Sequence, residues 1–228
     1  MNCAFNAIQN VILIFPDERQ VFLRELNNNM YSASAYFWSK VISELPVSIL
    51  TPVLYGSMIY YSIGLHKPAE FFFNYLATLI LVYNASGGYS MIISVAISNK
   101  QLAVTMTPML IVPFMLFAGF FVSSDNIPWF LKEFEYLSIF KYGYQALVHN
   151  EFDYFMNTPG ANDDPDVGFP CIDVKPGPNR SMLGKCNPLS QLAENSDCFS
   201  SQMALLGMYV GCYMISWFIL VRLSKKYD

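Results

Sequence analysis

Four stretches of the chain carry no Asp, Glu, Lys or Arg: Leu45–Leu65, Phe71–Ile97, Leu102–Val122 and Met203–Val221, of 21, 27, 21 and 19 residues. A helix needs about 20 apolar residues at 1.5 Å rise each to cross a bilayer, so each run predicts one membrane span. A fifth apolar run, Cys3–Phe15, is too short to span comfortably. No basic residues precede it and no small-residue cleavage site follows, so it predicts the end of a helix rather than a signal-peptide core. Next comes Pro16-Asp17-Glu18, which predicts a new helix start with acidic residues in its first turn. Val21, Phe22, Leu23 and Leu26 then interleave with Arg19, Arg24 and Glu25. That pattern predicts a short amphipathic helix that docks on a soluble partner by its apolar side, or else lies on the inner leaflet. Lys40 and Glu44 sit i, i+4 at the mouth of the next span and are expected to pair on one helix face.

Composition narrows the class. The 228 residues are 54% hydrophobic and 13% charged, against about 25% charged in a typical soluble domain. A soluble fold of this size cannot cover its surface with so few charges. The aromatic content of 16% excludes whole-chain disorder. A net charge of −4 argues against nucleic acid as a partner. Orientation follows from basic residues beside the spans. The tail Arg222-Leu-Ser-Lys225-Lys226 directly follows the last apolar run and is expected to be cytoplasmic, which also puts residues 16–40 and Lys100 inside. Residues 66–70 and 123–202 then face outward. The inner set, with Glu44 at the mouth of the next span included, holds seven basic and five acidic residues, the outer set six basic and twelve acidic.

The outer segment has its own signals. Residues 151–200 hold 6 of the 13 prolines together with Cys171, Cys186 and Cys198, which predicts an irregular loop carrying one disulfide in an oxidising compartment. Three pairings are open, and the remaining thiol either bridges to another chain or stays free. Asn179-Arg180-Ser181 is a glycosylation sequon in the same loop. Before it, Ile127–Asn150 mixes seven Phe, Tyr and Trp residues with Lys and Glu, too polar to span and too aromatic for a free loop. An outer re-entrant or interfacial helix pair fits that mixture, with an amphipathic surface helix as the alternative. Gly87-Gly88 predicts close helix packing. His66 and His149 stand alone, with no spacing that points to a metal site, and no catalytic constellation can be assembled.

Several stretches in order resemble one family. Phe15-Pro-Asp-Glu-Arg-Gln-Val-Phe-Leu-Arg-Glu-Leu26, Tyr31-Ser-Ala-Ser-Ala-Tyr-Phe-Trp-Ser-Lys40 and Glu44-Leu-Pro46 are similar to the membrane domain of the G subfamily of ABC exporters, the White and multidrug half-transporter type. The likeness continues through Tyr60–Leu65, Phe114–Val122 and Tyr142–Phe152 and leaves out only the outer loop. It implies an all-α membrane protein: a helical bundle of four full transmembrane helices plus a partial one, a cytoplasmic coupling helix, outer re-entrant helices and a disulfide-containing extracellular loop. The implied boundaries are 1–15 (end of the second span), 16–40 (coupling-helix segment), 41–65, 70–97 and 102–122 (third to fifth spans), 123–202 (outer segment) and 203–223 (sixth span).

Function is implied in the same way. Family members are half-transporters that carry a nucleotide-binding domain, dimerise, and move sterols, lipids, pigment precursors or drugs. This chain has no G-x-x-x-x-G-K-[ST] loop, so ATP and Mg are expected on a domain outside it and no ATPase activity is expected from it alone. The resemblance assigns Glu18, Arg19, Phe22, Leu23, Arg24 and Glu25 to the coupling helix that meets the nucleotide-binding domain. Phe5, Pro108, Val112 and Met115 would face a substrate cavity between protomers, beneath a hydrophobic plug of Phe120 and Phe121. The expected partners are the bilayer, a nucleotide-binding domain, a second G-type half-transporter as homo- or heterodimer, and a hydrophobic small molecule. The location is a multi-pass one in the plasma membrane or an endomembrane. A non-transporting accessory subunit that pairs with a full-length half-transporter is the alternative.

Overall fold

The computed structural model describes residues 1–28, 30–64, 69–97, 99–116, 136–157 and 198–224. The side chains of Gln20, Leu23, Asn27, residues 151–157 and Ser224 lie outside that description. The described residues form six helices and no strand: α1 (Asn2–Asn27), α2 (Ala33–Ile63), α3 (Ala69–Ala96), α4 (Lys100–Leu116), α5 (Ile139–Asn157) and α6 (Cys198–Ser224). Of these, α2, α3 and α6 are long and apolar enough to cross a bilayer, while α4 is a shorter apolar helix. The expected fifth span of 102–122 thus coincides with helix as far as Leu116, and its remainder lies outside the described residues.

The first helix differs from expectation. No helix starts at Pro16; α1 runs unbroken from residue 2 to residue 27 with Pro16 inside it. Proline in a helix interior removes one backbone hydrogen bond and crowds the carbonyl four residues back, a cost of about 3 kcal/mol. Packing overrides it. Ile8, Ile12, Phe15, Arg19, Phe22 and Leu26 are all buried, at alternating steps of four and three residues that pass through Pro16 without a change of phase. Phe15 and Phe22 sit in one apolar cluster with Phe37 and Val41 of α2, Met91 and Val95 of α3 and Leu220 of α6. Bending the helix at Pro16 would pull one of the two rings out of that cluster.

The hub of the bundle is α3. Two-thirds of its most apolar window is buried, against 11% for the corresponding window of α2. The difference shows in the residues: α2 turns Ile42, Val47, Leu50, Leu54 and Met58 outward, as a lipid-facing helix does. Small residues let the neighbours of α3 come close. At Gly88 an added Cβ would lie 2.9 Å from Cys212 Cβ of α6, which accords with the close packing expected of Gly87-Gly88. Two of its buried hydroxyls turn back on their own helix, with Ser86 donating to the Val82 carbonyl at 2.7 Å and Ser90 to that of Gly87 at 2.8 Å. Within an apolar surround this satisfies groups that water cannot reach.

Turns are held by local chemistry. The Ser32 hydroxyl accepts from the Ala35 N–H at 3.3 Å and caps the start of α2. Gly64, at φ 74°, closes α2 in the left-handed region that glycine enters without a Cβ penalty. Within the segment expected to be re-entrant, α5 buries Ile139, Phe140, Ala146 and Val148, and Asn150 donates to the Phe71 carbonyl of α3 at 3.0 Å. Gly88→Val is expected to lower stability by about 1–3 kcal/mol through overpacking, measured as thermal unfolding in detergent. Gly207→Ala, where an added Cβ meets nothing within 4 Å, is expected to leave the melting curve in place.

Candidate transport and coupling site

At the junction of α1 and α2 the helices are joined through one ammonium. Lys40, its side chain 9% exposed, contacts the Glu18 carboxylate from α1 and lies 2.8 Å from Glu44 one turn along α2. Its Nζ also stands 5.8 Å from the centre of the Phe15 ring. A lysine this buried loses hydration that must be replaced by nearby carboxylates and hydrogen bonds. Tyr36 adds to the cluster by donating to Glu18 at 3.4 Å. Nearby, the Tyr31 hydroxyl donates to Glu25. Burial, and then the Glu25 carboxylate, push the Tyr31 phenol up to about 12, so it keeps its proton as the donor. The rings of Phe22 and Tyr36 stack with centroids 4.4 Å apart, and Tyr31 lies nearly parallel to Tyr36. A further ion pair, Lys100 to Asp17, ties the start of α4 to the same part of α1.

These contacts redistribute the roles expected along residues 18–25. Phe22 is fully buried, so it supplies no apolar docking face, and Arg19 is buried as well. Glu18 and Glu25 are half-buried and engaged by Lys40 and Tyr31. Leu23 belongs to α1, with its side chain outside the described residues. The outward stripe is Asp17, Val21, Arg24 and Asn28, spaced by four, three and four residues. The physical reason is the same phase that carries the helix through Pro16: positions 15, 19, 22 and 26 point inward, leaving 17, 21, 24 and 28 on the far side.

The four residues expected to face a cavity divide into two pairs. Phe5 and Met115 pack against a common cluster that includes Ala4, Ile8, Ile12, Ala103 and Ile111, so the structure brings α1 and α4 together there. Pro108 and Val112 are exposed. Phe120, Phe121, Cys171, Cys186 and Asn179 lie outside the described residues. Cys198 opens α6, with its sulfur 3.7 Å from the Ala146 carbonyl. Among the described residues no three His, Cys, Asp or Glu side chains come together to hold a metal.

Sequence spacing did not point to two polar links between helices: Asn10 to the Tyr83 hydroxyl at 3.4 Å, and Ser48 to the Asn84 side-chain oxygen at 3.0 Å. Nor did it link Glu18 to Lys40, 22 residues away. A local signal existed only for Asn84, a polar residue in the middle of an apolar run.

The ABC-2 type transporter family matches residues 1–152, from α1 to the middle of α5. The chain belongs to that family. Its relatives include Protein white of Drosophila melanogaster, 37% identical over 151 residues, which cover 66% of this chain and 22% of that protein. The permease wht-1 of Caenorhabditis elegans is 34% identical over 228 residues, 95% of this chain and 33% of the relative. ABC transporter G family member 1 of Dictyostelium discoideum is 24% identical over 99% of this chain and 28% of its own length. The chain thus spans a third or less of the length of these relatives. Lys40→Ala is expected to cost about 1–3 kcal/mol in detergent unfolding. That is less than the roughly 3–5 kcal/mol of a fully buried pair, because both carboxylates are about two-fifths exposed. Glu44→Gln, which leaves Glu18 in place, is expected to cost less than half as much.

Proposed function

We propose that the chain is the membrane-spanning part of an ATP-driven G-type exporter that moves a hydrophobic small molecule by alternating access. The match of residues 1–152 to the ABC-2 membrane domain carries this reading, supported by relatives that include G-family transporters. The sequence contains no G-x-x-x-x-G-K-[ST] loop. In this reading ATP and magnesium bind a nucleotide-binding partner or domain outside these 228 residues.

In this reading the Lys- and Arg-flanked end is cytoplasmic, and the outward stripe Asp17, Val21, Arg24 and Asn28 meets the nucleotide-binding partner. A push on that stripe moves α1 as one rod, because no break at Pro16 absorbs it. The Lys40 cluster passes the displacement to α2, and the Lys100–Asp17 pair passes it to α4. At the other end of α1 sits Phe5, which with Pro108, Val112 and Met115 of α4 would line the substrate path once two protomers meet. Phe120 and Phe121 would close that path by apolar contact. Pro108 and Pro113 each remove a backbone donor from α4, leaving it a softer helix for such a path.

The test uses inside-out vesicles from cells expressing the full-length gene product, with ATP-dependent accumulation of a hydrophobic dye as readout. Wild type is expected to accumulate the dye. Val21→Asp on the outward stripe is expected to reduce accumulation several-fold with unchanged protein level. Phe121→Ala is expected to change the stimulation of ATP hydrolysis by substrate; unchanged stimulation and transport would remove the plug assignment. Vesicles that accumulate no dye under any ATP condition, though the protein is present and folded, would favour a non-transporting subunit instead.

A further inference from the structure

The face of α1 turned away from Phe5 borders a crevice of about 410 Å³ between α1, α2, α3 and α6. Its α1 lining, residues 7, 10, 11 and 14, centres about 190° around the helix from Phe5 at roughly 100° per residue. It is therefore a different place from the path between protomers described above. The volume falls within the roughly 300–1,000 Å³ of small-molecule sites. Val11 and Ile14 on one side and Leu45 and Val47 on the other give it apolar walls. Ile14 and Val47, at 50% and 63% exposure, stand at a rim that opens out of the bundle.

Polar groups in the crevice set what it can hold. Ser48 and Asn84 satisfy each other at 3.0 Å, and the Asn84 amide also donates to the Ile80 carbonyl at 2.8 Å. Glu44, at one end, is 2.8 Å from Lys40. Asn10 donates to the Tyr83 hydroxyl oxygen at 3.4 Å, which leaves the Tyr83 hydroxyl hydrogen and the Asn10 amide oxygen without a protein partner among the described residues. One spare donor beside one spare acceptor is the complement of an alcohol, which both gives and takes a hydrogen bond. A cation would compete with Lys40 for Glu44, and an anion would be repelled by the Glu44 carboxylate, which lines the crevice where Lys40 does not.

We propose that this crevice is a second ligand site, which takes a neutral amphiphile from the bilayer, with its hydroxyl on the Asn10–Tyr83 pair and its hydrocarbon along Val11, Ile14, Leu45 and Val47. Entry is sideways, past Ile14 and Val47, at a depth where lipid rather than water surrounds the helices.

The experiment is photolabelling of native membranes containing the full-length product with hexadecanol that bears an aliphatic diazirine, followed by mass-spectrometric mapping. Expected is several-fold heavier labelling of the α1 and α2 segments around Ile14 and Leu45 than of lipid-facing Met58. The same probe without its hydroxyl is expected to label all three sites alike. Val47→Trp, at a position outside the core, is expected to cut crevice labelling several-fold while Met58 labelling holds. Tyr83→Phe keeps the shape and is expected to abolish the advantage of alcohol over alkane, which decides the question even if the tryptophan variant fails to fold. Crevice labelling no heavier than at Met58, or an alcohol preference that survives Tyr83→Phe, would overturn the proposal. So would a crevice left unlabelled because another segment of the polypeptide fills it.

Discussion

Lys40 is the constraint on which the arrangement of the first two helices rests. An ammonium placed in an apolar surround loses several kcal/mol of hydration, and only close, well-placed carboxylates offset that loss. Glu44 comes from the same helix and would be nearby in any packing. Glu18 comes from α1, so its contact with Lys40 sets both the rotation of α1 and its depth against α2. The stacked rings of Phe22 and Tyr36 repeat the constraint in apolar form, each four residues from one member of the ion pair, Glu18 on α1 and Lys40 on α2. Charge and packing select one register here, and a sliding of α1 by a single turn would break both.

Beyond that junction, the bundle is built around a helix with little bulk. The middle of α3, through Ala85, Ser86, Gly87, Gly88 and Ser90, is buried all round, and α6 approaches it closely at Gly88. In a bilayer, apolar burial between helices gains little, because lipid tails are as apolar as leucine; close van der Waals contact and internal hydrogen bonds contribute instead. The large residues are displaced to the outside of α2 and α6, where they meet lipid. This inversion of the usual soluble pattern explains why an apolar exposed surface here is no sign of a missing partner.

Much of this was legible in order along the chain. The charge-free runs located α2, α3 and α6, because the length requirement of a bilayer is a one-dimensional constraint. The Lys40–Glu44 spacing is equally local. Pro16 was misleading: a proline next to two acids resembles a helix start, and only the heptad phase of Ile8, Ile12, Phe15, Arg19, Phe22 and Leu26 shows that one helix continues through it. That phase was present in the sequence, though its authority over the proline comes from the burial of Phe15 and Phe22 in a cluster built by four helices. The Glu18–Lys40 and Asn10–Tyr83 links were not legible, because nothing local relates residues 22 and 73 positions apart. The resemblance supplied the family and the candidate cavity, while the direction each α1 side chain faces came from the fold.

The central claim is that α1 is a single rod from Asn2 to Asn27, which the proposed function uses to carry motion from a nucleotide-binding partner. Electron-spin distance measurement between labels at Asn6 and Arg24, both exposed, tests it most directly in the full-length gene product with and without trapped nucleotide. Eighteen residues at about 1.5 Å rise place the two backbone positions about 27 Å apart along the axis. The account predicts one narrow distribution consistent with that separation and unchanged by nucleotide. A broad or shortened distribution that shifts on nucleotide trapping would mean two helices hinged at Pro16, and would contradict it.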